Sequence, residues 1–259
     1  KTAAFLVACM QILLDREPLA GHEDGKPRAL ILAPTRELAV QIYNDAVVLG
    51  AHTGLRCGVV FGGTGYDTQR QMVSDGLDIL IGTPGRVIDY FKQGVFHLRG
   101  AQVMILDEAD RMFDLGFIKD IRFLLRRLPP PTDRVNMLFS ATMSFRVTEL
   151  AYEHMNDPKL VNASPAQVTV EHVTQVLYHV SKEEKIPLLL GLLGSMEVTR
   201  TIVFVNTKRA AEAVTDYLNA NGFHADMLSG DVPQKKRLRL LTGFQTGQLP
   251  ILVATDVAA

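Results

Sequence analysis

Asp107, Glu108 and Asp110 put three carboxylates into four residues, directly behind the apolar run Val103-Met104-Ile105-Leu106. An apolar run that breaks abruptly into acids is the pattern of a buried parallel strand whose carboxyl end opens onto a ligand crevice. Two acids at such an edge suit a hydrated Mg²⁺ and the water it helps to activate, because hard cations take oxygen ligands and Mg²⁺ keeps several of its waters. The pattern predicts a nucleotide site. A plainer alternative is a solvated helix start with the Asp as N-cap. Three further runs weigh against it. Val135-Asn136-Met137-Leu138-Phe139 ends in Ser140-Ala141-Thr142, Ala29-Leu30-Ile31-Leu32-Ala33 ends in Pro34-Thr35-Arg36-Glu37-Leu38, and Ile79-Leu80-Ile81 ends in Gly82-Thr83-Pro84-Gly85-Arg86. Four strands thus deliver polar, helix-starting clusters to one edge.

The elements that must position these clusters follow from apolar runs and breakers. The pattern predicts a helix over 2–14, a polar loop over 17–27, a strand over 28–33 and a helix over 36–51. Strand and helix then alternate up to Pro158, the rhythm of an α/β doubly wound parallel sheet. Asn162 to Gln167 reads as a linker, followed by a β-rich segment over 168–180 and a helix over 182–196.

The second part replays the first. Arg28 to Arg36 has its counterpart in Arg200 to Lys208, and Asp78 to Thr83 matches Pro250 to Thr255. Thr35 and Thr83 lie 48 residues apart, as do Thr207 and Thr255. Ordered matches at equal spacing point to two related lobes, with residues 1–162 forming the first, 163–171 a linker and 172–259 the second. Equivalent threonines at one edge of both lobes would offer hydroxyls and helix N-termini to an extended polyanion. They could equally be N-caps and nothing more.

At 259 residues and 47% hydrophobic content, the chain can bury one large or two medium α/β cores. No stretch approaches the length of a membrane span, which predicts no membrane partner. Only Cys9 and Cys57 are present, too few for a disulfide framework, and the default expectation is a cytoplasmic enzyme. Seven scattered His show no metal-ligand spacing. A net charge of −1 excludes simple electrostatic coating of nucleic acid, though not phosphate contact through helix N-termini and a few Arg side chains. The basic runs 122–127 and 235–239 read as solvated helix faces.

With these motifs in hand, the chain resembles the DEAD-box RNA helicases, and the match spans its whole length. The first lobe carries Pro34-Thr35-Arg36-Glu37-Leu38-Ala39, Gly62-Gly63, Thr83-Pro84-Gly85-Arg86, Asp107-Glu108-Ala109-Asp110 and Ser140-Ala141-Thr142. The second carries Val203-Phe204-Val205-Asn206-Thr207, Gln234-Lys235-Lys236-Arg237 and Ala254-Thr255-Asp256-Val257-Ala258-Ala259. The resemblance implies two RecA-like lobes that close over ATP and RNA. Lys1 and Thr2 look like the tail of a phosphate-binding loop, with Lys1 on the phosphates and Thr2 on Mg²⁺. Asp107 would hold Mg²⁺ through water, and Glu108 would orient and deprotonate the attacking water. Asp110, Ser140 and Thr142 are assigned to coupling between nucleotide and RNA. Pro34, Thr35, Arg36, Gly63, Thr83, Arg86, Asn206, Gln234, Arg237 and Thr255 are assigned to the RNA-binding face. An endoribonuclease in an RNA-degrading assembly is the partner implied by a bacterial branch of the family.

Set against the family pattern, the chain starts at the Lys of the phosphate loop and stops before an arginine-rich motif. On that reading the first lobe lacks its phosphate-loop strand, expected in mid-sheet, and the second is truncated at its C-terminus. These 259 residues alone are then expected to be poorly soluble and catalytically inert, since an arginine finger contributes about 10³ to 10⁵ in rate. Rival readings are a non-enzymatic RNA clamp and a DNA-directed translocase. A dinucleotide-binding dehydrogenase is remote, because no Gly-x-Gly-x-x-Gly joins a strand to a helix.

Overall fold

Apolar runs four residues long, Ala29–Leu32, Ile79–Gly82 and Val103–Leu106, form the middle of a sheet that is buried on both faces. The computed structural model describes residues 1–20, 22–23, 25–63, 65–162, 173–196 and 198–255. It divides into two compact units, Lys1–Asn162 and Ala163–Ala259. In the first, the elements run α1 (Thr2–Asp15), β1 (Ala29–Leu32), α2 (Arg36–Leu49), β2 (Cys57–Val60), α3 (Tyr66–Ser74), β3 (Ile79–Gly82), α4 (Pro84–Lys92), β4 (Val103–Leu106), α5 (Ala109–Asp114), α6 (Ile118–Leu125), β5 (Val135–Leu138) and α7 (Phe145–His154). In the second they run α8 (Lys185–Ser195), β6 (Thr201–Val205), α9 (Lys208–Ala220), β7 (Ala225–Leu228), α10 (Gln234–Gln245) and β8 (Ile251–Thr255).

The first sheet has the order β2-β3-β1-β4-β5 and every pair in it is parallel. Because side chains alternate across a strand, Leu30 and Leu32 of β1 enter a core with Leu80, Tyr90, Leu106 and Met112 on one face. Ala29 and Ile31 enter the other, with Phe5, Leu6, Ile42 and Ile105. Helices on both faces of a parallel sheet make this a doubly wound α/β unit. The second sheet, β6-β8-β7, is also parallel and is likewise packed on two faces.

The internal repeat seen in the sequence is a repeat of topology. The first strand of each unit lies beside the third: Ala29 faces Ile79 in β1·β3, and Thr201 faces Ile251 in β6·β8. The partners are 50 positions apart in both. The second strand of each unit, β2 or β7, flanks the same third strand on its other side.

The five strands of the first unit are contiguously paired, with β2 and β5 at the two edges, and the residues of β5 are all half-buried. One expectation needs correction. The expected linker 163–171 and residues 168–172 of the expected β-rich segment lie outside the described residues, and 173–180 form no strand. Val173, Val176, Leu177 and Tyr178 are exposed. A β-rich composition makes a strand only where another strand pairs with it.

Candidate functional site

Parallel strands send all their carboxyl ends to one edge, and in the first unit this gathers the motifs that the sequence spreads over more than a hundred residues. β1 delivers Pro34, Thr35 and Arg36, β2 delivers Gly62 and Gly63, and β3 delivers Thr83 and Arg86. β4 delivers Asp107 to Asp110, and β5 delivers Ser140 and Thr142.

Asp107 leaves β4 with its N–H on the Leu32 carbonyl at 3.0 Å, so the neighbouring strand fixes its backbone. The residue is only 5% exposed, and its Oδ1 accepts from the Glu108 N–H at 3.0 Å. It is not the helix cap of the plainer alternative. The N-cap of α5 is Glu108, without a side-chain cap bond, in a left-handed conformation (φ 52°, ψ 53°) that non-glycine residues seldom adopt. Such strain gathers at functional sites because surrounding structure must hold it; here Phe139 O receives the Ala109 N–H and Glu108 O receives the Met112 N–H. The turn leaves the Glu108 side chain exposed beside the buried Asp107.

The electrostatics follow from this burial. Desolvation pushes the Asp107 carboxyl above its ordinary range, against the pull of the Glu108 N–H and the positive charge of Lys1. Partial desolvation beside the sheet, and then the adjacent Asp107, push the more exposed Glu108 up as well, opposed by Arg111 and Lys1. Lys1 at the start of α1 is thus close enough to act on both acids. Asp110 behaves oppositely: burial would raise it, but the Thr142 and Ser140 hydroxyls and the N–H groups of Thr142 and Arg111 outweigh burial and lower it.

Those contacts form a closed circuit between the segments after β4 and β5. Thr142 donates to Asp110 Oδ2 through both its N–H and its hydroxyl, each at 2.9 Å. The Ser140 hydroxyl accepts from the Asp110 N–H at 3.2 Å and donates to Thr142 O at 2.7 Å.

The donor set also fits Mg²⁺. Among the described residues no three His, Cys, Asp or Glu converge into a protein cage. Mg²⁺ needs none, since one or two carboxylates, waters and substrate phosphates complete its shell. A nearby dication would restore the ionisation that burial disfavours in Asp107. Thr2, half-buried in the first turn of α1, is the hydroxyl assigned to the same ion. Both thiols are free, and burial pushes Cys9 up to about 12 and Cys57 to about 11, so neither suits nucleophilic catalysis.

The remaining sites sort by geometry. The Thr35 hydroxyl caps α2 by accepting from the Leu38 N–H at 3.3 Å, and Thr207 caps α9 through the Ala210 N–H at 3.1 Å. Thr83 occupies the N-cap position of α4 without a side-chain cap bond. Thr255 is the last residue of β8 and is buried. The cap reading therefore holds for Thr35 and Thr207 through their hydroxyls and for Thr83 by position, while the residues that follow Thr255 lie outside the described ones. Pro34 is buried ahead of that cap. Arg36 lies against the glycine loop so closely that a Cβ on Gly63 would stand 2.4 Å from its Nη1. In the second unit, Asn206 follows β6 and is exposed, Gln234 begins α10, and Arg237 donates to the Ser229 carbonyl at 3.0 Å. These too gather at the carboxyl ends of their sheet. Tyr66 and Tyr90, which flank the Arg86 guanidinium, carry no motif signal and were not among the sequence candidates.

Comparison with known proteins supplies the context. Residues 1–151 match the DEAD/DEAH box helicase family and residues 184–259 match the helicase conserved C-terminal domain. The whole chain is 55% identical to ATP-dependent RNA helicase RhlB of Pseudoalteromonas atlantica and spans 61% of its length. It is 58% identical to the protein of the same name from Xanthomonas axonopodis pv. citri, spanning 46%. Among solved structures, S. cerevisiae Dbp5 bound to RNA and ADP BeF3 matches 99% of this chain and 63% of its own at TM-score 0.82 and 28% identity. A DEAD box protein from Methanococcus jannaschii matches 99% and 66% at TM-score 0.55 and 30% identity. No helix among the described residues is long and apolar enough to cross a membrane.

Proposed function

Because the chain belongs to the DEAD/DEAH box helicase family, we propose that the protein is an RhlB-type RNA-dependent ATPase that spends ATP hydrolysis on parting short RNA duplexes. The observation that carries this reading is the Asp110–Thr142–Ser140 circuit beside the buried Asp107 and strained Glu108. An acid pair poised for hydrolysis is thereby tied to the segment that follows the next strand.

In this reading Lys1 binds the nucleotide phosphates and Asp107 and Thr2 hold Mg²⁺, which when bound neutralises charge on the phosphoryl oxygens. Glu108 orients the attacking water and takes its proton. Burial and the adjacent Asp107 raise its affinity for a proton, the direction that strengthens a general base. Asp110, Ser140 and Thr142 relay the state of that site along β5. Pro34, Thr35, Arg36, Gly63, Thr83 and Arg86, with Asn206, Gln234, Arg237 and Thr255, hold the RNA strand. Their chemistry is phosphate and sugar contact, which positions RNA without reading its sequence. A role in cytoplasmic RNA degradation beside an endoribonuclease rests on the resemblance to the RhlB branch.

The test is phosphate release by the full-length protein with Mg²⁺ and ATP, with and without RNA. Stimulation by RNA but not by DNA duplexes is expected. Equal rates with no nucleic acid, or preference for DNA, would sink the reading.

A further inference from the structure

Arg86 is oriented in an unusual way for a surface arginine. Its guanidinium carbon lies 4.7 Å from the centroid of the Tyr66 ring and 5.3 Å from that of Tyr90. The two rings meet edge to face, 5.3 Å apart at 64°. Nη1 donates to the Tyr90 hydroxyl at 3.1 Å, and that hydroxyl donates to the Tyr66 carbonyl at 2.5 Å. Gln93 ties the outer end of the assembly, donating to the Tyr66 hydroxyl and to Asp89 Oδ1. Arg86 makes no other hydrogen bond or ion pair among the described residues.

The physical consequence lies in what holds the cation. A carboxylate partner would orient a guanidinium and cancel its charge together. Two aromatic faces and one phenol orient it and leave the charge, with four of its five N–H donors uncommitted. Tyr66 opens α3 shortly after Gly62 and Gly63, against which Arg36 rests, so the held cation stands at the same strand edge.

Resting on the proposed RNA-binding face, we infer that Tyr66 and Tyr90 are positioning residues that hold Arg86 for contact with an RNA phosphate without neutralising it. The phosphate pairs with a fork whose rotamer is already chosen, so less side-chain entropy is lost on binding. Tyr90 is fully buried and also serves the core, whereas Tyr66 is 38% exposed and can be changed without opening a cavity.

The experiment measures binding of single-stranded RNA by the full-length protein across a salt series, in wild type, Tyr66→Phe, Tyr66→Leu, Arg86→Ala and the double variant Tyr66→Leu/Arg86→Ala. ATP affinity and melting temperature serve as folding controls. Loss of one ring face in Tyr66→Leu is expected to weaken RNA binding about three- to tenfold. Tyr66→Phe keeps the face and should stay near wild type. In the Arg86→Ala background Tyr66→Leu should add nothing, because the group it positions is gone. Additive losses, or full RNA affinity in Tyr66→Leu, would overturn the positioning role while leaving Arg86 as a contact. Unchanged affinity and salt dependence in Arg86→Ala would overturn that role and the RNA-face reading together.

Discussion

Thr142 gives Asp110 Oδ2 two hydrogen bonds, from its backbone N–H and from its hydroxyl, both at 2.9 Å across 32 positions of sequence. The N–H bond survives any substitution but proline, so the hydroxyl bond can be tested alone. Thr142→Ala should cost about 1 kcal/mol of stability at most, because the site is exposed and one bond is lost. Its larger effect should be on the ratio of RNA-stimulated to basal ATP hydrolysis, which falls while the basal rate holds. Thr142→Ser, which keeps the hydroxyl, should restore the ratio. Equal ratios in the Ala variant and wild type would remove Thr142 from the coupling circuit.

Glu108 is placed as the base that receives the proton of the attacking water. Replacing it with Gln keeps the shape and removes the basicity, so phosphate release should drop by about 10² to 10⁴. Binding of ATP and RNA should persist, since the phosphate and RNA contacts are assigned elsewhere. Single-turnover phosphate release beside equilibrium binding would check both halves, and near-normal turnover is the result that contradicts the assignment.

Asp107 is held at a stability cost. Its folded carboxyl binds a proton more tightly than in the unfolded chain because burial disfavours the charged form. A group raised in this way stabilises the fold below its unfolded range and loses that contribution as pH rises through the folded value. Asp107→Asn should therefore raise the melting temperature at pH 7 without nucleotide, and the gain should vanish toward pH 3. It should also abolish Mg²⁺-dependent hydrolysis. A melting temperature lowered at pH 7 would mean that the carboxylate is satisfied in the fold, contrary to its burial.

How far the sequence could be read depended on whether a signal was local. β1, β3 and β4 are fully buried apolar runs, and that is why they stood out as parallel strands. Their polar followers had to share an edge once the strands were parallel, so the carboxylates and the Ser-Ala-Thr segment were legible together. β5 carries Asn136 and is half-buried throughout, so an apolar run concealed an edge strand. Segment 173–180 has the composition of a strand but no strand partner among the described residues, and partnership is not written in composition. The Arg86 clamp joins Tyr66 and Tyr90, 24 residues apart on different helices. Each aromatic alone looks like ordinary core, so only the fold could reveal them as a pair. The left-handed turn at Glu108 also left no trace, because Glu has no preference for that region.

Gly63 offers a test in which the backbone acts on a distant charge. Its φ of +99° lies where an L side chain is strained, so Gly63→Ala should cost about 1–2 kcal/mol. The added Cβ would stand 2.4 Å from Arg36 Nη1 and 2.9 Å from its Cζ, far inside contact distance. The obstacle is the far end of a flexible side chain, so the fold survives and the guanidinium is the part that moves. RNA binding by Gly63→Ala should then weaken to the level of Arg36→Ala. In both, the log-log dependence of affinity on salt should shallow by about 0.7, the loss of one phosphate contact on a single strand. The double variant should bind no more weakly than either single one, because each removes the same contact. Wild-type affinity in Gly63→Ala would mean that Arg36 meets RNA from another position, or not at all, and equilibrium binding across a salt series distinguishes these outcomes.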